Sequence, residues 1–286
     1  MTIMPAPPDT GVVFIRKTND TPIRFGASIH HLVSTELCTA ISSQGAQIKT
    51  IEHVLAALAG LGVDNALIEV DAAEVPVLDG SSGPFVRMIR AAGIVAQKRA
   101  QPFLKITQPI EVTDGVRRVM IEPSSTPRVS YTISYNHPLI GHQSFDFEYS
   151  AAGFEREVAD ARTFGFLREV EALWSRGLGK GGSLDNTVVL SETGVMNQTG
   201  LRFQDEFVRH KILDLIGDMA LMGMPFIGHV KADRSGHALH TKLVAEILRR
   251  PECWVLLSAD ESVSTVELPV PAHQPFLPAA SVASAA

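Results

Sequence analysis

Residues 207–222 read FVRHKILDLIGDMALM, and the rest of the chain is interpreted from them. The pattern sets His210, Asp214 and Asp218 four residues apart, which on a helix makes one stripe. At about 100° per residue, Phe207 and Leu221 fall at the ends of that stripe, Gly217 and Leu213 flank it, and Val208, Ile212, Leu215 and Met219 cover the back. The stripe reads two ways, as a charged face turned to water or as a polar line within an apolar helix. Apolar neighbours on every side favour the second, and buried polar groups need partners. A metal ion is one such partner.

Composition bounds the answer. With 286 residues, 45% of them hydrophobic, the chain can build a real core, and two domains of similar size are expected. A formal net charge of -6 argues against nucleic-acid binding, which calls for a basic surface. The longest apolar stretches, such as 54–61, are too short to span a bilayer, and no signal-peptide pattern opens the chain, so a cytoplasmic protein without an integral membrane segment is expected. Cys38 and Cys253 are the only cysteines and form no CxxC, so any metal is expected on histidine and carboxylate.

Strand patterns cover 12–16, 28–35 and 36–41, the last alternating Leu37, Thr39 and Ile41 on one face before a hairpin turn at 42–46. Thr50 is placed to cap a helix over 51–61, followed by a strand at 66–70 and a helix at 84–92. A polar shift at 97–102 marks a domain boundary. Strands follow at 103–106, 110–113, 118–122, 129–135 and 145–149, with Asp114-Gly115 as the clearest hairpin turn. A helix at 167–174, a glycine-rich loop at 177–182 that lacks a P-loop signature, and a strand at 186–190 lead to the opening helix. In that loop Lys180 is a candidate phosphate contact. Beyond come a strand at 226–232, a turn at 235–238, a helix at 240–249 and a strand at 254–258. The Pro-, Ala- and Ser-rich stretch 269–286 reads as a disordered tail, inert or a handle for proteolysis. Strands followed by a helix thus occur twice with no residue-level repeat, so any duplication is structural only.

The 51–61 helix, IEHVLAALAGL, carries ionisable groups only at Glu52 and His53. They read either as helix-start chemistry, favoured by the helix dipole, or as a metal ligand beside a base. His53, His210 and Asp214 make a two-His, one-Asp set of the kind catalytic zinc uses. Glu52 is the candidate base, since zinc lowers the pKa of bound water to about 7. Asp218 is placed to orient a histidine such as His237 and hold a proton on it, although a histidine at such a turn also reads as exposed and inert. A cationic histidine can stabilise an oxyanion and protonate a leaving amine. The set suits amide hydrolysis, but spacing alone does not choose between amide, ester and phosphate, and no HExxH is present.

Six segments in order, TIEHVLAALAGLGVDNA (50–66), EVPVLDGSSGPF (74–85), ARTFGF (161–166), SLDNTVVL (183–190), LRFQDEFVRHKILDLIGD (201–218) and SGHALHTKLV (235–244), closely resemble the UDP-3-O-acyl-N-acetylglucosamine deacetylases, zinc amidohydrolases that commit lipid A synthesis. The resemblance implies an α+β fold of two similar domains, each a β-sheet packed on a helix pair, with the active site in the cleft between them. The domains are expected at 1–98 and 99–268, with an insert near 159–180 forming an apolar passage for the acyl chain.

By the same resemblance, zinc would be held by His53, His210 and Asp214, with Glu52 as general base. His237 would be the cationic partner of the leaving amine, oriented by Asp218. Thr163 would donate to the tetrahedral oxyanion, and Lys211 and Phe164 would contact the substrate, an acylated UDP-amino sugar. A monomer is implied. The family's strand and turn containing Gly-Leu-His-Ser/Thr-Gly, which precede the segment beginning PAPPDTGVVF here, have no counterpart. That motivates the alternative expectation, a catalytically weak, zinc-dependent UDP-lipid binding protein.

Overall fold

The computed structural model describes residues 1–18, 21–179 and 181–258. Lys180, the tail expected at 269–286 and the end of the expected second domain lie outside the described residues. Six α-helices form among the described residues: α1 (Glu52–Gly60), α2 (Gly83–Ala92), α3 (Ala151–Glu157), α4 (Leu167–Ser175), α5 (Glu206–Met219) and α6 (His237–Arg249). With five sheets they make the expected α+β fold.

Two of the sheets are built by the same rule. In the four-stranded sheet, Ala66–Val70, which follows α1, inserts between Thr2–Pro5, to which it runs antiparallel, and Val12–Arg16, to which it runs parallel; Ile23–Gly26 then pairs antiparallel with Val12–Arg16. In the five-stranded sheet, His229–Asp233, which follows α5, inserts between Arg117–Glu122, antiparallel, and Arg128–Ser134, parallel; His142–Glu148 lies outside the latter, antiparallel. Ile110–Asp114 adds a fifth strand beside Arg117–Glu122. The strands alternate with period two. Phe14 pairs with Ile68 and both are fully buried, while Val129, Tyr131 and Ile133 turn inward and Ser130, Thr132 and Ser134 turn out.

The buried faces enclose the two central helices. Val54 to Leu58 of α1 are all buried, so this helix is apolar on every side, and α1 makes its most extensive helix contact with α5. Their approach is set by Gly217, where a Cβ would stand 2.1 Å from the backbone oxygen of Glu52. Only a glycine lets the first turn of α1 rest there. The stripe of α5 lies in the interior, with His210 2%, Asp214 2% and Asp218 0% exposed.

Several local expectations are corrected. Thr50 does not cap α1: its backbone is left-handed at φ 58°, and its hydroxyl donates to Glu74 Oε1 at 2.6 Å. The stretch 28–35 begins as a 3-10 turn, Ile29–His31, started by Ser28, and only Leu32–Ser34 extends. The stretch 36–41 is broken because Leu37 adopts φ 62°, leaving Ala40–Ser43 as the strand. The hairpin turn at Gln44-Gly45 holds, both residues having positive φ. Residues 226–232 are not one strand, since the chain changes sheets at Gly228: Phe226–Ile227 pairs with Phe103–Ile106, and His229–Asp233 with Arg117–Glu122. Helix α6 begins a turn earlier than its apolar pattern indicates, at His237.

Candidate active site

Glu52 and His53 open α1, and its contact with α5 carries them into the polar stripe. Both are buried. The His53 and His210 rings meet edge to face with centroids 5.2 Å apart. Nε2 of His210 lies 3.2 Å from Asp214 Oδ1, and Nε2 of His53 lies 3.7 Å from the same oxygen. One ligand atom from each of the three residues falls within 4.8 Å of the others.

These three side chains could hold a cation. His210 donates its Nδ1–H to the carbonyl oxygen of Ala161 at 3.0 Å, which leaves Nε2 facing Asp214, and burial pushes its pKa down. Burial also works against the charge on Asp214, but His210 and the Lys211 ammonium outweigh it and hold that carboxyl well below the usual carboxylate range. Nε2 of His210 and Nε2 of His53 thus converge on one buried Asp214 oxygen. The separations also suit a tetrahedral ion, because bonds of about 2.0–2.1 Å give ligand–ligand edges of about 3.3–3.4 Å. Two imidazole nitrogens and one carboxylate oxygen are borderline-soft donors, matched to a first-row metal rather than to calcium or magnesium.

Beside this set lie the acid and base candidates. Burial raises the Glu52 pKa, His237 and His53 drawing it partly back, and Oε2 accepts the backbone N–H of Thr39 at 3.0 Å. Asp218 is saturated with donors: Oδ1 accepts the Thr39 hydroxyl at 2.5 Å, and Oδ2 accepts Nδ1–H from His237 at 2.7 Å and from His240 at 2.8 Å. Burial works against the charge on His237, yet Asp218, with Asp214 and Glu52 behind it, lifts its pKa to about 10. His240 differs, since burial pushes its pKa down, and its Nε2 lies 3.0 Å from the Tyr131 hydroxyl. His237 is thus not exposed, its side chain being 12% exposed and paired with Asp218.

The family model of the UDP-3-O-acyl N-acetylglycosamine deacetylases matches residues 1–249. The chain belongs to this family. A deacetylase of Myxococcus xanthus is 45% identical over 259 residues, covering 91% of this chain and 82% of that protein. One of Saccharophagus degradans is 43% identical over 263 residues, covering 91% and 87%. One of Xanthomonas campestris is 44% identical over 263 residues, with the same coverage. All three are named UDP-3-O-acyl-N-acetylglucosamine deacetylase.

In this member of the deacetylase family, the strand Phe164–Phe166 pairs with Val188–Leu190, and Thr163 precedes it, donating its backbone N–H to Gly80 O at 2.8 Å. The Phe164 ring packs edge-on against Phe207, 5.1 Å between centroids, and lies 6.4 Å from His210. Lys211 Nζ lies 2.7 Å from Asp214 Oδ2 and 5.7 Å from the centre of the Phe164 ring. All nine residues expected at the site thus fall around α5 and the first turn of α1 or in segments tied to them. Sequence reasoning missed Thr39, Tyr131, His240 and the Ala161 carbonyl. His240 had a readable signal, lying three residues after His237 on one helix face; the other three reach the site only through the fold.

Proposed function

We propose that this chain hydrolyses the N-acetyl amide of UDP-3-O-acyl-N-acetylglucosamine, releasing acetate and the free amine in the committed step of lipid A synthesis. The reading rests on family membership and on one observation, the convergence of His53 Nε2 and His210 Nε2 on the same buried Asp214 oxygen, 3.7 and 3.2 Å away. His53, His210 and Asp214 would hold a zinc ion. When bound there, zinc supplies Lewis acidity, which acidifies water to a pKa of about 7 and polarises a carbonyl oxygen.

The chain's own groups do the rest. Glu52, with a raised pKa, takes the proton of the attacking water. Cationic His237 stabilises the negative charge that develops on the amide oxygen and then gives a proton to the leaving nitrogen, while Asp218 keeps it charged and oriented. Thr163 donates to the same oxyanion. Lys211 and Phe164 contact the substrate, and the 159–180 stretch, in which α4 has no buried residue, forms the acyl passage. We divide the chain at 98/99, a division supported by the matching strand order of the two larger sheets. No helix among the described residues is long and apolar enough to cross a membrane. The cytoplasmic location and monomeric state belong to the same proposal. A weak binding protein is the less favoured reading, because the candidate ligands, base and acid are all assembled.

Metal analysis of the purified chain, paired with an acetate-release assay on UDP-3-O-acyl-N-acetylglucosamine, tests the proposal. One zinc per chain and turnover are expected. A folded, metal-loaded chain that releases no acetate overturns it.

A further inference from the structure

Behind the candidate ligands lies a closed ring of contacts that none of the roles above uses. Its hub is Glu206, the first residue of α5, which is 0% exposed. Oε1 of Glu206 accepts the backbone N–H of Arg162 at 2.9 Å and its Nε–H at 2.8 Å, and Oε2 accepts Nη2–H of Arg162 at 3.1 Å and the backbone N–H of Arg202 at 2.7 Å. The Arg202 guanidinium reaches Asp79 Oδ2 at 2.9 Å. The Asp79 Oδ1 atom accepts the backbone N–H of Ser81 at 3.0 Å and its hydroxyl at 2.7 Å, which shapes the 79–82 loop. The carbonyl of Gly80 accepts the N–H of Thr163, the residue after Arg162, and this closes the ring.

Three segments held by the ring each touch one part of the site. Ala161, adjoining Arg162, presents the carbonyl that fixes the His210 tautomer. Thr163 adjoins Arg162 on the other side. The 79–82 loop sends the Ser82 hydroxyl to the backbone oxygen of His53 at 2.7 Å. The loop has little freedom to move, because Gly80 has φ +82° and a Cβ there would stand 1.9 Å from the backbone oxygen of Asn186.

We infer that Glu206 is a positioning residue: through Arg162 and Arg202 it sets the carbonyl of Ala161, the Thr163 donor and the backbone of His53 in one common geometry. The inference rests on the proposed deacetylation. A buried Arg–Glu pair that served only stability would be replaceable without a change in metal retention or in kcat at constant KM. A positioning pair would not be, since displacements of about 1 Å at a reacting centre can cost about a hundredfold in rate.

The test uses the full zinc-loaded chain and two variants. Glu206→Gln keeps the side-chain volume and removes the charge. Arg202→Ala removes a half-buried guanidinium, its side chain 35% exposed, and leaves the Arg162 pair intact, so it decides the matter if the first variant does not fold. Three measurements are read: zinc release to a competing chelator, imidazole 15N shifts of His210, and kcat against KM. For Glu206→Gln, zinc release faster by about tenfold or more, loss of the single Nδ1–H tautomer, and kcat lower by about tenfold or more at nearly constant KM are expected. For Arg202→Ala, kcat falls while the His210 tautomer is kept. Native zinc release and native kcat in folded Glu206→Gln, or in Arg202→Ala where Glu206→Gln does not fold, overturn the inference. A wild-type chain that holds zinc and deacetylates while the variants match it separates that failure from failure of the proposed function itself.

Discussion

Gly217 in α5 lies directly against the backbone carbonyl of Glu52 in α1, with room for no more than a hydrogen between them: a Cβ on Gly217 would stand 2.1 Å from that oxygen. The contact holds the helix bearing Glu52 and His53 against the helix bearing His210 and Asp214. Gly217→Ala must push the two helices apart. We expect a loss of about 1–3 kcal/mol of stability from overpacking, together with weaker metal retention. Denaturant unfolding and a chelator titration check this, and an alanine variant with native midpoint and native metal affinity would refute it.

Asp214→Ala removes one oxygen donor and leaves the Lys211 ammonium without its partner. The variant is expected to be purified without metal and to lose deacetylation, as measured by elemental analysis and acetate release. In the wild-type chain, zinc at about a hundred times its Kd should raise stability by about 2.7 kcal/mol, and chelation should reverse the gain. Thermal unfolding with and without chelator reads the difference, and identical transitions would contradict a zinc site at these residues.

Glu52→Ala separates base from ligand. Glu52 does not contribute to the three-residue donor set, so metal content should stay at the wild-type level. Turnover should fall by about 10²–10⁴-fold, the usual contribution of a positioned base. A normal rate in the metal-loaded variant would remove Glu52 from the mechanism.

The His237–Asp218 pair predicts a pH dependence with a definite sign. The folded pKa of His237, about 10, lies above the ordinary imidazole value of about 6.5. Its contribution to stability is therefore complete below about 6.5 and is lost as pH rises through about 10. Asp218 is shifted the other way: burial opposes its charge, but His237 and His240 pull its pKa down, so its contribution is lost as pH falls through the carboxylate range. If His237 is the acid, kcat/KM declines on the basic side as it deprotonates. Asp218→Asn should move that limb to lower pH, and an unmoved limb would show that another group sets it.

Much of the site could be read from spacing because it lies on helices, where one periodicity fixes which side chains share a face. His210, Asp214 and Asp218 are of this kind, and the apolar run after Glu52 and His53 marked the second helix. Thr163, Lys211 and Phe164 came only from the resemblance of ordered motifs, since none of them falls in a pattern that names its chemistry. Thr39 shows what spacing misses. Read as a regular strand residue, it would spend its N–H on a neighbouring strand; the break at Leu37 frees that N–H for Glu52 and turns the hydroxyl to Asp218. The strand order was equally hidden, because each inserted strand is separated by a helix from the strands it joins.

That insertion has a kinetic consequence. Ala66–Val70 and His229–Asp233 each enter between strands made earlier in the chain, so neither sheet can be completed by local zipping. His53 and His210 lie more than half the chain apart and meet only after both loops have closed, a route whose rate is limited by chain entropy. A partly folded chain thus contains every donor and no metal centre. Any metal ion these donors hold would be captured at the end of folding rather than at its nucleus.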